Sequence, residues 1–172
     1  MKNKIMSFAF FLAFLLAIVP QVYAQPQVDQ SYVARELVFL INENSYEAAS
    51  EFFHYPESYS SEYKSKEAAS VSQGLKKYME AFGSIIETGG PIPEADYIGV
   101  GVSGADISYW EQYNETISQI VVAANFGNVG WGVFRIGFVE GVDMWEIQGV
   151  DYSIIATDET RRLVGSLVDQ GE

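Results

Sequence analysis

The sequence contains no cysteine, a single histidine and few basic residues. Without cysteine the chain can form neither a disulfide framework nor a lipid-modified cysteine, so its stability must come from an ordinary packed core. One histidine and no cysteine leave only scattered carboxylates as metal ligands, and we predict neither a metal site nor a cofactor. The formal net charge of −13 opposes binding to nucleic acid and to anionic membrane surfaces.

The sequence also lacks long hydrophobic runs, except at its N-terminus. Two lysines precede an apolar stretch at residues 8–19, and Pro20 breaks this stretch ahead of Ala24. The stretch is too short to span a hydrocarbon core of about 30 Å, and the pattern is typical of a secretory signal peptide. We therefore predict a signal peptide at residues 1–24. Residues 25–172 are predicted to be one exported domain in the periplasm or outside the cell, neither a lipoprotein nor inserted in the membrane.

The first half of this domain has helical periodicity. A first helix is indicated by apolar residues at helical spacing, namely Val33, Leu37, Leu40 and Ile41. Asn44 followed by Glu47 predicts the N-cap of a short second helix that Pro56 ends. A third helix is predicted from about Ser61 to Gly83, which takes the left-handed turn at the C-terminus.

The second half is rich in β-branched and aromatic residues and predicts a sheet. Gly127-Asn128 and Glu140-Gly141 are suited to two-residue hairpin loops. In the resulting register Val122 faces Val133, and Arg135 faces Glu146 in an ion pair. Alternation then sorts the strands into a core face and a mixed face. The core face carries Val121, Ala123, Phe134, Ile136, Phe138, Trp145 and Ile147, and the mixed face carries Ile120, Val122, Ala124, Trp131, Val133, Arg135, Glu146 and Gln148.

These elements predict an α+β fold in which N-terminal helices pack on a curved antiparallel β-meander. A short helix that begins near Asp158 completes the chain.

Two glycine patterns resemble catalytic or nucleotide-binding motifs. Gly99, Gly101 and Gly104 have the spacing of a dinucleotide-binding turn, but residues 105–113 alternate like a strand where that turn needs a helix. Ser103 in the same stretch resembles a nucleophile elbow, which needs a histidine later in the chain. Because the only histidine lies upstream, we predict neither a nucleotide site nor a serine hydrolase.

His54 follows the second predicted helix. In a structural role it would cap free carbonyl groups at the helix end. In a functional role it would act as a general acid or base, because histidine titrates near working pH. No second catalytic group stands at a defined spacing from it.

The order of elements resembles the nuclear transport factor 2-like superfamily, which has a cystatin-like α+β cone. The stretches that carry the resemblance are "SYEAASEFF", "YMEAFGSI" and "GVDMWEIQGVDYSI". The resemblance implies a curved sheet around helices, a cavity between them for a small apolar ligand or isomerase-type chemistry, and dimerisation through the outer sheet face. Catalytic relatives place an acid with a histidine or tyrosine inside the cone, and no such set aligns here.

We therefore predict an exported, non-enzymatic domain that binds a small apolar molecule or an exported protein, as a homodimer. Aromatic residues are the expected contacts because they offer large area and a polar handle. The candidates are Tyr46, Tyr55, Tyr97, Tyr109, Trp110 and Trp131. One alternative is a small isomerase or hydrolase that uses His54 with a nearby tyrosine or acid, and another is a purely structural envelope component.

Overall fold

The computed structural model describes residues 29–104 and 118–169, and these form the predicted α+β class of fold. The helices are α1 (Gln30–Asn42), α2 (Tyr46–Ser50), α3 (Ser61–Phe82) and α4 (Asp158–Asp169). The strands are β1 (Ile85–Thr88), β2 (Tyr97–Ser103), β3 (Ser118–Phe126), β4 (Gly130–Glu140) and β5 (Trp145–Ile155). All three predicted N-terminal helices and the predicted C-terminal helix are confirmed.

The five strands form one antiparallel sheet in the order β1-β3-β4-β5-β2. Strands β3, β4 and β5 are consecutive hairpins, as predicted. No bounds for β1 and β2 were predicted from the sequence, and these strands lie at opposite edges of the sheet. Their connection, residues 89–96, therefore runs from one edge of the sheet to the other.

The predicted register of both hairpins is wrong because both loops are longer than two residues. The β3–β4 loop has three residues and Phe126 pairs with Gly130, whose φ of +79° fits the left-handed position that closes such a loop. Val122 therefore faces Phe134. The β4–β5 loop spans residues 141–144, and a bulge follows beside Gly137. Arg135 consequently faces Asp151, with Nη1 3.3 Å from Oδ2, and not Glu146.

A one-residue shift reverses the faces of a strand, so the predicted face assignment of β3 is also wrong. Ala124 and Phe126 lie in the core that the sheet shares with the helices, whereas Val121 faces Arg135 on the opposite side. The assignments of Phe134, Ile136, Phe138 and Ile147 to the core are correct.

Side-chain caps fix the helix starts. Asp29 accepts a hydrogen bond from the Ser31 N–H at 3.3 Å, and Ser60 accepts one from the Tyr63 N–H at 3.2 Å. Asn44 is not the N-cap of α2, because Ser45 occupies that position. Asn44 instead has a φ of +59°, and its Oδ1 accepts a hydrogen bond from the Tyr46 hydroxyl.

The core lies between the helices and one face of the sheet. Its centre is the ring of Tyr152, which lies 5.1 Å from the ring of Phe134 and 6.0 Å from those of Tyr78, Phe82 and Phe126. Val164 and Leu167 of α4 join the same core, and the Lys77 ammonium of α3 donates to the carbonyl of Leu167. Helices from both ends of the chain thus cover one face of the sheet.

Candidate functional site

The candidate site lies at the end of the sheet where β4 begins. Trp131 pairs with Asn125 of β3, next to the buried Phe126, so the indole lies on the outer face of the sheet. Trp131 is 37% exposed, although tryptophan is highly buried on average. Two clefts meet at this indole.

The first cleft, of about 440 Å³, lies between Trp131 and the β1–β2 connection. It is lined by Glu87, Thr88, Gly89, Gly90, Pro91, Pro93 and Trp131. The connection is held at both ends: the Gly89 N–H donates to Ala123 O at 2.8 Å, and the Tyr97 hydroxyl donates to Pro93 O at 2.6 Å. The wall opposite the indole is therefore fixed by hydrogen bonds and by two prolines.

The second cleft, of about 570 Å³, lies between Trp131 and the start of α4. Its lining is made of Ala81, Asn128, Val129, Trp131, Ile155, Thr157, Glu159, Thr160 and Leu163. Thr157 and Thr160 cap the helix reciprocally, because the backbone N–H of each donates to the side-chain oxygen of the other. This cleft therefore lies where the helical layer meets the end of the sheet.

The other predicted contact residues lie elsewhere. Tyr46 is buried and bonded to Asn44, and the hydroxyl of the half-buried Tyr55 donates to Ser50 O at 2.9 Å. Burial raises the pKa of the Tyr55 phenol, so this group stays neutral at ordinary pH. Tyr97 supports the first cleft through Pro93. Tyr109 and Trp110 lie outside the described residues.

His54 lies where the sheet continues past the end of β2. The Ile147 N–H donates to Phe52 O and the His54 N–H donates to Ile147 O, at 2.7 and 2.8 Å, so residues 52–54 form a short parallel bridge beside β5. His54 Nδ1 lies 2.6 Å from Glu146 Oε2, with side chains that are 19% and 34% exposed. Because α2 already ends at Ser50, this pairing, and not the helix end, sets the position of the imidazole.

The glycines of the dinucleotide-like pattern serve the sheet. Gly99 and Gly101 are interior residues of β2, opposite Ser153 and Asp151. A Cβ on either glycine would lie 2.6 Å from atoms of β5. The pattern therefore reflects close packing of two strands. The strand predicted after Gly104 lies outside the described residues.

The interior contains two polar atoms for which the described residues provide no hydrogen-bond partner, Tyr152 Oη and Gln148 Oε1. Burial strongly raises the pKa of the Tyr152 phenol, and Tyr46 and Tyr78 add smaller contributions. The hydroxyl is therefore neutral, and it is buried at the end of a ring that four other aromatic rings surround. Sequence patterns did not single it out, because a tyrosine in a strand is ordinarily bonded at its tip.

Within residues 29–104 and 118–169, no helix is long and apolar enough to cross a membrane. No group of three or more His, Cys, Asp or Glu side chains in the same ranges could hold a metal ion.

The outer sheet face carries the partly exposed Val121 and the Arg135–Asp151 ion pair. Dimerisation through this face stays a prediction.

No protein-family model matches the chain, and searches of curated proteins and of solved structures find no similar protein. The resemblance to the nuclear transport factor 2-like superfamily therefore has no support from these comparisons. What the structure defines is an α+β domain with one antiparallel sheet and an exposed tryptophan between two clefts.

Proposed function

We propose that the chain is an exported, non-enzymatic binding domain whose ligand contacts Trp131. The observation that carries this proposal is that one partly exposed indole forms a wall of two adjoining clefts. An indole offers a large apolar face at a small loss of rotamer entropy, and its N–H can orient a ligand. Export is supported by the signal-like sequence of residues 1–24.

The geometry at Trp131 suits a small molecule. The clefts of about 440 and 570 Å³ fall in the range of small-ligand sites. Trp131 stands on a strand with partners on both sides, and hydrogen bonds through Gly89 and Tyr97 hold the facing loop. Such a site needs little ordering when a ligand binds, so less of the contact energy is lost to the ordering of side chains and loops.

We place the ligand on the surface because aromatic rings fill the space between helices and sheet. Tyr152 lies within van der Waals packing range of Phe134, Phe82 and Phe126. A ligand between the layers would have to displace these rings, and opening a core of this density is strongly unfavourable.

The proposal is tested by native mass spectrometry of the mature protein purified from its source. We expect a small molecule bound to the wild type and to Trp145→Leu, and its loss in Trp131→Leu. The Trp145→Leu variant is the matched control, because this second tryptophan begins a neighbouring strand outside both clefts. A wild type without a bound molecule, or equal retention by Trp131→Leu, would contradict the proposal.

A second candidate function is acid–base catalysis by His54, and the pair with Glu146 favours it. A carboxylate 2.6 Å from Nδ1 orients an imidazole, as the acid does in a catalytic triad. Its test is a panel of ester and ketone substrates assayed with the wild type, His54→Asn and Glu146→Gln. This candidate requires an activity that falls at least about 100-fold in His54→Asn, and turnover that is unchanged in this variant would exclude it.

A further inference from the structure

The part of the chain that forms the first cleft carries acidic residues and no basic ones. From Tyr78 to Phe134 the sequence has seven acidic residues and no Lys, Arg or His. This stretch includes β1, the β1–β2 connection, β2 and β3, and it ends within β4. Three of its acids, Glu87, Glu94 and Asp96, are exposed on β1 and on the connection. These three exposed carboxylates favour cations over anions at the cleft. Three of the other acids, Asp106, Glu111 and Glu115, lie outside the described residues.

Glu87 and Trp131 are in one row across the sheet. Glu87 pairs with Asn125, and Asn125 pairs with Trp131, so all three residues lie on the outer face of neighbouring strands. Two strand spacings of about 4.8 Å separate the Cα atoms of Glu87 and Trp131 by about 10 Å. This spacing leaves room for a cation that lies within about 6 Å of the indole ring and also faces the carboxylate.

The shape and chemistry of this cleft indicate what kind of cation fits. Its lining includes Pro91, Pro93 and Trp131, with Glu87 as its one carboxylate. Ca²⁺ and Mg²⁺ prefer six or more oxygen ligands, whereas an alkylated ammonium combines a spread positive charge with apolar surface. Indole faces recognise such ions better than other side chains do.

The second cleft differs from the first in its helix terminus, and Glu159 gives it a carboxylate as well. The N-terminus of α4 opens into it at Thr157 and Thr160, and the partial positive charge of a helix N-terminus disfavours cations. No helix terminus is among the residues that line the first cleft. The first cleft therefore lacks this helix-terminus charge, which Asp158 and Glu159 in the first turn of α4 offset in the second cleft.

We propose that the first cleft binds a small organic ammonium ion on the face of Trp131, with Glu87 as its counter-charge. This inference rests on the proposed function and specifies its ligand class. A free cation is favoured over a zwitterionic head group such as phosphocholine, because the surrounding acids repel the phosphate.

The test is a titration of the mature protein with choline and with its neutral isostere 3,3-dimethylbutan-1-ol, followed by two-dimensional amide NMR. We expect choline to bind about tenfold more tightly than the isostere, which corresponds to about 1.4 kcal/mol, with shifts centred on Trp131 and Glu87. Phosphocholine should bind more weakly than choline. High salt should weaken choline binding and leave the isostere unaffected.

Substitutions of single acidic residues test the role of Glu87 in ammonium binding separately from ligand binding at Trp131. Glu87→Gln should reduce choline affinity several-fold and leave the isostere unchanged, while Glu62→Gln, an exposed acid in the first turn of α3, should change neither. Absence of choline binding, or equal affinity for choline and its isostere, would overturn the inference. Neither result touches the proposed function, which depends on the retained ligand and on its loss in Trp131→Leu.

Discussion

Gly83 and Asn128 meet at the junction between α3 and the β3–β4 hairpin. A Cβ on Gly83 would lie 2.7 Å from the backbone nitrogen of Asn128, whose N–H donates to Phe82 O at 2.8 Å. The side-chain amide of Asn128 also donates to Glu80 O and Ala81 O, at 3.4 and 3.3 Å. One hairpin residue therefore satisfies the last carbonyls of the helix, which a glycine allows to approach closely.

This contact predicts that Gly83→Ala destabilises the protein by more than about 2 kcal/mol, because the alanine would combine an unfavourable φ of +84° with a clash. The matched control is Gly165→Ala in α4, where an added Cβ meets nothing within 4 Å. This control should stabilise the protein by about 0.5–1 kcal/mol. Urea denaturation gives both free energies of unfolding. Equal effects of the two variants would contradict the close contact between Gly83 and Asn128.

The buried hydroxyl of Tyr152 predicts an unusual response to its removal. Because the described residues offer this hydroxyl no partner, Tyr152→Phe should leave the free energy of unfolding unchanged or raise it by up to about 2 kcal/mol. Tyr55→Phe is the control, since it removes the hydrogen bond to Ser50 O and should destabilise by about 1 kcal/mol. A loss above 1 kcal/mol in Tyr152→Phe would show that the hydroxyl has a partner.

Alkaline pH provides a separate test of tyrosine burial. Burial raises the pKa of Tyr55 and of Tyr152 in the folded state, while an unfolded tyrosine titrates near pH 10. The stability from these neutral phenols is therefore complete below about pH 10 and is lost as the pH rises further. Tyr152→Phe should lose about 1.4 kcal/mol less per pH unit above pH 10 than the wild type. Parallel stability curves in urea denaturation between pH 9 and 11.5 would contradict the burial.

The pair of His54 and Glu146 predicts a measurable coupling between residues 92 positions apart. A double-mutant cycle with His54→Asn and Glu146→Gln should give about 0.5–1 kcal/mol, because both side chains are partly exposed. Additivity within about 0.3 kcal/mol would mean that the pair does not hold residues 52–54 against β5.

The helices could be predicted from sequence because their signals are local. Apolar spacing and the break at Gly83 placed α3 at its observed bounds, and the start of α4 at Asp158 was also correct. The strand registers could not be predicted, since they depend on a third loop residue, Val129, and on the bulge beside Gly137. Val129 shifts β3 against β4, and the four-residue β4–β5 loop together with the bulge shifts the partner of Arg135 from Glu146 to Asp151.

The candidate site was predictable only in part, for a related reason. Trp131 was among the candidates because it is a large aromatic residue, but its clefts depend on a connection that crosses from β1 to β2. The partner of His54 depends on the parallel bridge between Phe53 and Ile147, which has no local sequence signal. Contacts between distant segments depend on the order of the strands in the sheet, and the hydrophobic periodicity of the sequence does not reveal that order.

The most direct test of the central claim is fluorine NMR of the mature protein labelled with 5-fluorotryptophan. Single Trp→Phe variants would assign the three tryptophan signals. A titration with ammonium ions, neutral amphiphiles and anions should shift the Trp131 signal saturably with at least one class and leave the Trp145 signal in place. A Trp131 signal that responds to none of these classes in the folded protein would contradict the account.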